Sequence, residues 1–355
     1  MAGVDICNPP LLWLEGRCYR LGREQEREVV AGYTGETEAE DWSELGQDRA
    51  EVEVEVEQLT GGRWRAALQL PATLFPQIIG KGGQTKGRIE ADTRTKVVVP
   101  GKGKEGEVVI TGTERRGVEA AASRVTALVE AARSRQPFTH FISIPCNSPA
   151  TQESFLQFRA EVLEKCGNCR GLDQSIFQTE TLLHITVGTL VLLDEREREK
   201  ARELLLDCKE NLVLPLLGDS PQLEFGLNGL EIMNDDEAEV DVLYCGVTEP
   251  TGRLQQLADA LVEKFVEAGL MRREHDQVKL HVTVLNSLFR REEENSGPAP
   301  ARETFDSRAV MAGWGGLQLG RTSLQEIHLS QRRAGRRTKA GYYLPSAVLQ
   351  LYTCG

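Results

Sequence analysis

One five-residue frame, apolar–His–apolar–Thr–apolar, occurs twice in this chain, each time inside a run of β-branched and aliphatic residues. The first copy lies in TLLHITVGTL (181–190) and the second in VKLHVTVL (278–285), so that the second His follows the first by 97 residues. Because successive side chains of a strand point to opposite faces, His and Thr share one face and the apolar residues face a core. The sequence therefore predicts two half-buried strands that each present an imidazole and a hydroxyl.

The repetition favours a functional role for these histidines over a structural one. A lone His on a half-buried strand is most often an exposed or hydrogen-bonded residue of no further consequence. This chain has five His, and two of them stand in the same frame, at a spacing typical of the two halves of one domain. The residues that we predict to be catalytic are His184, Thr186, His281 and Thr283.

Length and composition indicate an ordinary globular protein. The chain has 355 residues, of which 40% are hydrophobic and 27% charged, and it is long enough for two or three domains. No stretch approaches a membrane span, and MAGVDICNPP at the N-terminus lacks the regions of a signal peptide. We therefore expect an intracellular protein without membrane contacts and with reduced cysteines. The single CxxC (166–169) has no second pair at zinc-site spacing, so we expect neither a metal site nor a cofactor.

Charge is distributed unevenly along the chain. The net charge is −12, which argues against nucleic-acid binding by the whole surface. Residues 80–104, however, carry seven Lys or Arg against two acids, and QRRAGRRTK (331–339) is basic without an acid. Two local positive patches on an acidic protein favour nucleic-acid binding at defined sites. The alternative is that either patch is an ordinary solvated surface.

The first 58 residues are predicted to hold little regular structure. LLWLEGRCYRL (11–21) favours a small hairpin turning at residues 15–16. Residues 22–48 are acidic and polar, with few apolar anchors, and are predicted to be disordered. EVEVEVEQ (51–58) alternates strictly, as an edge strand does. We therefore assign residues 1–58 to an N-terminal hairpin followed by an acidic, partly disordered segment.

Residues 59–135 are predicted to form one unit in the order β-α-α-β-β-α. RWRAALQL, TKVVVP and EVVITG favour strands, whereas PATLFPQII, QTKGRIEAD and the stretch 113–132 favour helices. The loop GKGG (80–83) joins the first two helices. This order, with IIGKGGQTKGRIE at the helix–helix junction, resembles a type I KH domain. The resemblance implies that a single strand of about four nucleotides lies in a groove beside the loop.

The GKGG loop suits contact with phosphates. Its glycines let a backbone pass close to a ligand, the following helix offers its N-terminal N–H groups, and Lys81 supplies charge. The sequence departs from the KH pattern at Lys86 and Gly87, where the family usually has Ile and then Lys, so base specificity stays open. A KH fold that serves only as a structural module is the alternative. The residues that we assign to nucleic-acid binding are Gly80, Lys81, Gly82, Gly83, Lys86 and Arg88.

Residues 138–355 are predicted to form a second domain of two α/β lobes, in which a helix precedes each His strand. Two H-x-T strands, one in each lobe, resemble the two-histidine (2H) phosphoesterase superfamily, in which both pairs face one cleft. The expected fold class is thus α+β, a type I KH domain followed by a bilobal 2H phosphoesterase fold.

The 2H resemblance implies a phosphodiester reaction that needs no metal. One His would accept a proton from an attacking water or ribose 2′-OH, and the other would protonate the leaving oxygen. The two Thr hydroxyls would donate hydrogen bonds to the non-bridging oxygens. Because an unperturbed His titrates near pH 6.5, we expect one neutral and one protonated ring near neutrality. Which His acts as the base is left open.

The remaining histidines have weaker claims. His328 lies in HLS, which repeats the frame superficially, on a strand that we expect to be the last and away from the symmetric positions of the lobes. We expect His140 and His275 to be structural or exposed. Tyr244 and Asn286 are predicted to border the cleft.

The resemblance extends over nearly the full length. QPFTHF, SIFQ, MNDD, VDVLY and LFR resemble a subunit of a transcription-coactivator and DNA-alkylation-repair complex. This implies a nuclear protein, with the cytoplasm as a second location. The implied partners are single-stranded RNA, with single-stranded DNA as an alternative, and the other subunits of that complex, including its helicase.

Two functions stay open at this point. The first is an RNA-directed phosphodiesterase that acts on RNA ends or 2′,3′-cyclic phosphates. The second is a non-catalytic adaptor that binds nucleic acid and retains the phosphoesterase fold. Two intact H-x-T frames favour the enzyme, because a pure binder needs neither both His nor both Thr. The resemblance to a subunit of a complex favours the adaptor. A hydrolase of small nucleotides is disfavoured by the attached KH domain.

Overall fold

The structure is a computed structural model that describes residues 11–14, 17–20, 55–218, 222–290, 302–332 and 337–351. The acidic stretch that we predict to be disordered lies outside the described residues. The chain divides into two units, Met1–Glu36 and Thr37–Gly355. The first unit contains the predicted hairpin, in which β1 (Leu11–Leu14) pairs antiparallel with β2 (Arg17–Arg20).

The N-terminal part of the second unit has the predicted KH order, extended by one edge strand. Its elements are β3 (Val56–Gln58), β4 (Trp64–Gln69), α1 (Phe75–Ile79), α2 (Gln84–Thr93), β5 (Thr95–Val98), β6 (Glu107–Gly112) and α3 (Arg115–Ser134). The four strands form an antiparallel sheet in the order β3-β4-β6-β5. The described end of EVEVEVEQ is therefore an edge strand, as predicted.

The three KH helices pack through faces of apolar residues that recur at helical spacing. Val118, Ala121 and Val125 of α3 are fully buried, together with Ile78 of α1 and Ile89 of α2. The sheet contributes Val97, Val108 and Ile110 to the same core. Full burial of an aliphatic side chain stabilises a protein by about 1.5–3 kcal/mol, so this small core is enough to hold the loop between α1 and α2 in place.

Gly87 is an unfavourable residue in the middle of α2. A Cβ at this position would meet no atom within 4 Å, and Gly loses more backbone entropy than Ala when it enters a helix. We expect Gly87→Ala to raise the free energy of unfolding by about 0.5–1 kcal/mol, as measured by urea denaturation. Gly83→Ala is the control, because Gly83 is equally open but has φ +80° and should lose stability. A less stable Gly87→Ala would contradict the expectation.

The second domain is built on one antiparallel sheet of eight strands. The strand order is β12-β9-β10-β11-β8-β7-β13-β14. The strands are β7 (His140–Pro145), β8 (His184–Leu190), β9 (Glu224–Ile232), β10 (Val242–Thr248), β11 (His281–Asn286), β12 (Gln318–Ser323), β13 (Glu326–Gln331) and β14 (Pro345–Gln350). Each predicted lobe is one half of this sheet, and β13 and β14 return to the first lobe after the second lobe has been made.

Helices cover one face of this sheet. The packing pairs are α4 (Pro149–Cys166) with β12, α5 (Glu195–Cys208) with β14, α7 (Arg253–Glu267) with β8 and α8 (Arg308–Trp314) with β9. The helical stretch that begins with α5 is not one regular α-helix. A π-helical turn, Lys209–Val213, links α5 to α6 (Leu214–Leu217), where Pro215 lacks the N–H that would continue an α-helical pattern.

The two His strands have the predicted facing. Ile185, Val187, Val282 and Val284 are each less than 5% exposed and belong to the core under the helices. His and Thr of both frames are half-buried on the opposite face. The period-two pattern thus determines which side of the sheet carries the polar groups.

The KH domain contacts the second domain directly. Arg133 Nη1 in α3 donates to Val191 O at 2.6 Å and to a Glu197 carboxylate oxygen at 3.1 Å. Leu193 packs against the KH core. The connection is short, because α3 ends at Ser134 and β7 begins at His140. These contacts hold α3 against the start of α5.

The CxxC pair lies at the end of α4. Cys166 is the last residue of that helix and is buried, Cys169 is half-buried, and both thiols are free. Burial raises the pKa of the Cys166 thiol, and the neighbouring Cys169 raises it further. The higher pKa disfavours the reactive thiolate. Within the described ranges, no three His, Cys, Asp or Glu side chains are grouped as ligands for a metal ion. No helix in that part of the chain has the length and apolar character of a membrane span.

Candidate active site and nucleic-acid interface

Strand pairing brings the four predicted catalytic residues together. Ile185 of β8 pairs antiparallel with Val282 of β11. Residues that flank such a pair lie across from each other on the opposite face, which sets His184 near Thr283 and His281 near Thr186. We call the surface formed by these four residues the His–Thr face.

The backbone holds both imidazoles in the same way. His184 Nδ1 lies 2.6 Å from Leu182 O, and His281 Nδ1 lies 2.7 Å from Lys279 O. Because a carbonyl oxygen only accepts hydrogen bonds, each Nδ1 carries the proton and each Nε2 keeps a lone pair. The two Nε2 atoms are therefore the ones available for proton exchange with a substrate.

Burial lowers the pKa of both imidazoles. It lowers the pKa of His184 to about 4, a change that the bond to Leu182 opposes and neighbouring His281 reinforces. It also lowers the pKa of His281, where Lys279 adds its charge. The expectation of one protonated ring near neutrality is thus wrong for the free protein, because desolvation disfavours the charged form. A bound phosphate would reverse this by stabilising an imidazolium.

Aromatic rings surround His184. Its ring centroid lies 5.2 Å from that of Phe141, 5.3 Å from Tyr343 and 6.4 Å from Tyr342. The Arg337 guanidinium lies 4.6 Å from the centre of the Tyr343 ring. None of these rings was predicted from sequence. The only signal for the tyrosines is their position directly after the basic stretch that includes Arg337.

A hydroxyl network lies beside Thr186. Ser143 is paired with Thr186 across β7 and β8. Ser143 Oγ lies 3.0 Å from Ser330 Oγ and accepts a hydrogen bond of 3.0 Å from the Tyr342 hydroxyl. Ser143 and Ser330 are fully buried. The network therefore holds Tyr342 in a fixed position next to the His–Thr face.

In the second lobe, His281 has an aromatic neighbour and a nearby cation, as His184 has in the first. The Tyr244 ring lies 5.1 Å from the His281 ring, and Tyr244 pairs with Thr283. Its hydroxyl donates to Glu231 at 2.6 Å, and Lys279 Nζ lies 4.6 Å from the centre of its ring. Tyr244 thus borders the site, as predicted. Both lobes combine a histidine, an aromatic ring that contacts it and a cation stacked on that ring.

Two other predictions need correction. Asn286 Oδ1 accepts hydrogen bonds from Arg302 Nη2 at 3.0 Å and Leu288 N at 2.9 Å, so it anchors the chain after β11. His328 is not on the last strand, because β14 follows. It pairs with Ser143, which places it on the same side of the sheet as the His–Thr face.

His328 is buried, with its ring 5.4 Å from Tyr342 and its Nε2 3.2 Å from Glu326. The sequence could not show that β13 lies beside β7, and His328 was therefore expected to lie away from the site. Of the other two histidines, His140 is buried and His275 is exposed.

The GKGG loop has a backbone that glycine favours. Gly80, Gly82 and Gly83 have φ of +70°, +59° and +80°, a region that other residues rarely adopt. A Cβ at Gly80 would lie 2.2 Å from Thr85 Oγ1, whereas one at either other glycine would meet nothing within 4 Å. Packing therefore requires Gly80. The other two leave an open surface at the N-terminus of α2, where free N–H groups attract phosphates.

The basic residues near this loop differ in exposure. Lys81 and Arg88 are exposed, and Lys86 is half-buried. Lys86, which occupies the usual Ile position, has its Nζ 3.8 Å from Glu90, so part of its charge is already neutralised. Val98 on edge strand β5, next to α2, is 52% exposed and offers an apolar surface to bases. The arrangement suits a phosphate at the loop and bases along the edge strand.

Two family models match the chain. The KH domain matches residues 66–127, and the AKAP7 2′5′ RNA ligase-like domain matches residues 138–351. The predicted fold, a KH domain followed by a 2H phosphoesterase domain, is confirmed. A mouse protein named activating signal cointegrator 1 complex subunit 1 is 39% identical over 344 residues, which cover 93% of this chain and 95% of that protein.

Solved structures resemble the two domains separately. The first KH type I domain of human vigilin covers 26% of this chain and 96% of its own, with 24% identity and a TM-score of 0.21. E. coli LigT, solved in complex with 3′-AMP, covers 61% of this chain and 100% of its own, with 16% identity and a TM-score of 0.38.

Proposed function

Because the chain belongs to the family of activating signal cointegrator 1 complex subunit 1, we propose that it binds single-stranded RNA through its KH domain and cleaves a ribose-linked phosphodiester at its His–Thr face. One observation carries the catalytic part. Both histidines have Nδ1 bonded to a backbone carbonyl two residues earlier, with Nε2 left for proton transfer. A protein that only binds nucleic acid does not need two imidazoles oriented alike.

The proposed reaction is a displacement at phosphorus assisted by two imidazoles. One Nε2 accepts the proton of the attacking hydroxyl, a water or a ribose 2′-OH, as its oxygen bonds to phosphorus. The other imidazole, protonated once the phosphate has raised its pKa, donates to the leaving oxygen as that bond breaks. Thr186 and Thr283 donate to the non-bridging oxygens. Protein side chains thus supply each proton transfer.

Cations beside both histidines favour an RNA strand over a mononucleotide as substrate. Lys279 and Arg337 are exposed, and each stacks on the aromatic ring that contacts a histidine, Tyr244 or Tyr343. A cation beside the scissile bond can contact the neighbouring phosphate of a strand, which a mononucleotide lacks. The substrate class is therefore an RNA 3′ end or a 2′,3′-cyclic phosphate at the end of a strand.

A screen of defined oligonucleotides tests this function. It compares strands ending in a 3′ phosphodiester or a 2′,3′-cyclic phosphate, with and without EDTA, in the parent protein and in the double variant His184→Ala/His281→Ala. We expect turnover that survives EDTA and is absent from the double variant. Loss of turnover in EDTA that a divalent ion restores would rule out the mechanism, as would full turnover by the double variant.

A non-catalytic adaptor is the second candidate, favoured by the name of the mouse relative, which is that of a complex subunit. In this function the protein joins RNA to the other subunits of the activating signal cointegrator complex, including its helicase, in the nucleus or the cytoplasm. The same screen separates the two candidates. RNA binding without turnover of any strand selects the adaptor.

The contact between the domains predicts that both sites act on one strand. Arg133 ties α3 to Glu197 and Val191, so a strand held at the GKGG loop should present its end to the His–Thr face at a high effective concentration. A dinucleotide cannot reach both sites. We expect Lys81→Asp/Gly82→Asp to lower kcat/KM for a long strand and to leave that for a dinucleotide unchanged. Equal processing of the long strand by this variant and the parent would contradict coupling.

The lowered pKa values predict an acidic optimum. A bell-shaped profile of kcat/KM reports the acid and base of the free enzyme as a pair. Burial lowers the pKa of His184 to about 4 and the pKa of His281 below its ordinary 6.5. One neutral and one protonated imidazole therefore coexist only at acidic pH. We expect the maximum of kcat/KM below pH 6.5, measured on one oligonucleotide at constant ionic strength. A maximum above pH 7 would contradict this assignment.

A further inference from the structure

A polar cavity lies among groups that the proposed function does not use. It is lined from the sheet by His140, Gln331 and Ser346 and from α5 by Glu195, Arg198 and Arg202. His140 precedes Phe141, whose side chain contacts His184, and neighbouring strand residues point to opposite faces. The cavity is therefore on the helix-covered side of the sheet, away from the His–Thr face.

Two buried nitrogens of this cavity bond to no atom of the described chain. They are His140 Nε2 and Arg202 Nε, one on β7 and the other on α5. His140 is 6% exposed. A buried polar atom that lacks a partner costs about 1–3 kcal/mol. Both atoms belong to residues that line one cavity, although they come from separate elements, so one occupant of that cavity could satisfy both.

The hydrogen bonds around His140 leave its Nε2 as the ring nitrogen that faces an occupant. Thr139 Oγ1 lies 2.9 Å from His140 Nδ1 and 3.3 Å from both Leu190 O and Leu192 O. Because a hydroxyl can both donate and accept, Nε2 is a donor in one tautomer of the ring and an acceptor in the other.

The arginines show the charge of the occupant. Arg198 Nη2 is 2.8 Å from a Glu195 oxygen, and Arg202 Nη1 is 2.7 Å from a Glu199 oxygen. These ion pairs leave Arg202 Nε–H as a charged donor without an acceptor. An occupant must therefore supply an anionic oxygen to Arg202 and a hydrogen-bond partner to His140 Nε2. A phosphate group suits either tautomer of His140, because it carries P–O⁻ acceptors at neutral pH and a P–OH donor in its monoanion, which forms near pH 6 in a monoester.

We propose that this cavity binds a phosphate group, with Arg202 Nε–H donating to a charged oxygen and His140 Nε2 hydrogen-bonded to a second phosphate oxygen. The group belongs to a free phosphate or to the terminal phosphate of an RNA strand. The site is independent of the reaction at the His–Thr face. Its helix, α5, also carries Glu197, the partner of Arg133 in the KH domain, so the occupant lies next to the contact between the domains.

The test follows the imidazole of His140 by NMR in full-length protein labelled with ¹⁵N-histidine. His140→Gln identifies its resonances. Inorganic phosphate is added in one arm, a single-stranded oligonucleotide with a 5′-phosphate in the second and the same strand without that phosphate in the third, with chloride keeping ionic strength constant. We expect a saturable shift of His140 Nε2 with phosphate. Arg202→Gln should weaken it about tenfold, because a hydrogen bond to a charged group is lost.

Arg196→Gln is the matched control. It removes the same charge from the same helix, but its guanidinium bonds to Asp194 and does not line the cavity, so phosphate affinity should be unchanged. A response to inorganic phosphate identifies a free anion as the occupant, and a response only to the phosphorylated strand identifies an RNA end. No saturable shift in either arm, or an affinity that Arg202→Gln leaves unchanged while the other histidine signals show an intact fold, would overturn the proposal.

Discussion

Replacing His184 or His281 by Ala is expected to lower kcat/KM for an RNA phosphodiester by about 10²- to 10⁴-fold, the contribution of a positioned acid or base. In the proposed reaction each ring carries the proton of its own lobe, and both act in one step. Removing both should therefore cost little more than removing one. Single-turnover kinetics measures the chemical step, and circular dichroism verifies the fold.

Two controls separate proton transfer from packing. His275→Ala changes an exposed histidine and should leave kcat/KM unchanged. Thr186→Val and Thr283→Val keep the shape of the strands while removing one donor each, and should lower kcat by about tenfold through the loss of a charge-assisted hydrogen bond. A single His variant that keeps more than about a tenth of the parent activity would contradict the general acid–base assignment.

The double substitution Lys81→Asp/Gly82→Asp is expected to weaken binding of single-stranded RNA by at least about tenfold and to reduce its salt dependence. It places two carboxylates on the open surface at the N-terminus of α2, where we expect a phosphate. Each lost phosphate contact should flatten the slope of log K against log salt by about 0.7. Fluorescence anisotropy over a salt series measures both quantities.

The chain offers a closely matched control for this substitution. Lys102→Asp/Gly103→Asp makes the same charge change in the loop between β5 and β6, at a glycine with φ +75° and equally open surroundings. If both variants lose the same affinity, the effect comes from the overall charge of the domain. If the GKGG variant binds with unchanged affinity and slope, the KH domain takes no part in RNA binding. Thermal unfolding of both variants shows whether the strain at φ > 0 affects the fold.

The local sequence pattern was sufficient to predict which segments are helices or strands and which side chains of the two His strands face the core. The period of two in HITV and HVTV is short-range information, and so are the glycines that permit positive φ at GKGG. The surroundings of His184, in contrast, depend on contacts between segments that are far apart in the sequence. Phe141 reaches it from β7, and Tyr342 and Tyr343 from the segment before β14. No periodicity indicates that these segments become neighbours, so the aromatic surroundings were missed.

The same limit explains the protonation state and His328. A frame of five residues shows that a histidine is half-buried but cannot show how far its neighbours remove it from water, and it is desolvation that lowers the pKa of His184. Likewise, HLS shows which way His328 points. Its position beside Ser143 depends on β13 pairing with β7, a contact between residues far apart in sequence.

The return of β13 and β14 to the first lobe has a consequence for biosynthesis. While the ribosome makes the second lobe, β7 has β8 on one side and an unpaired edge on the other, because β13 has not yet been translated. An open edge of this kind can pair with other chains, and its closure by a distant segment is slow. A nascent chain therefore exposes this edge of β7 until β13 has emerged. A premature stop before Glu326 would release a product with this edge exposed and without Tyr342 and Tyr343, two of the rings around His184.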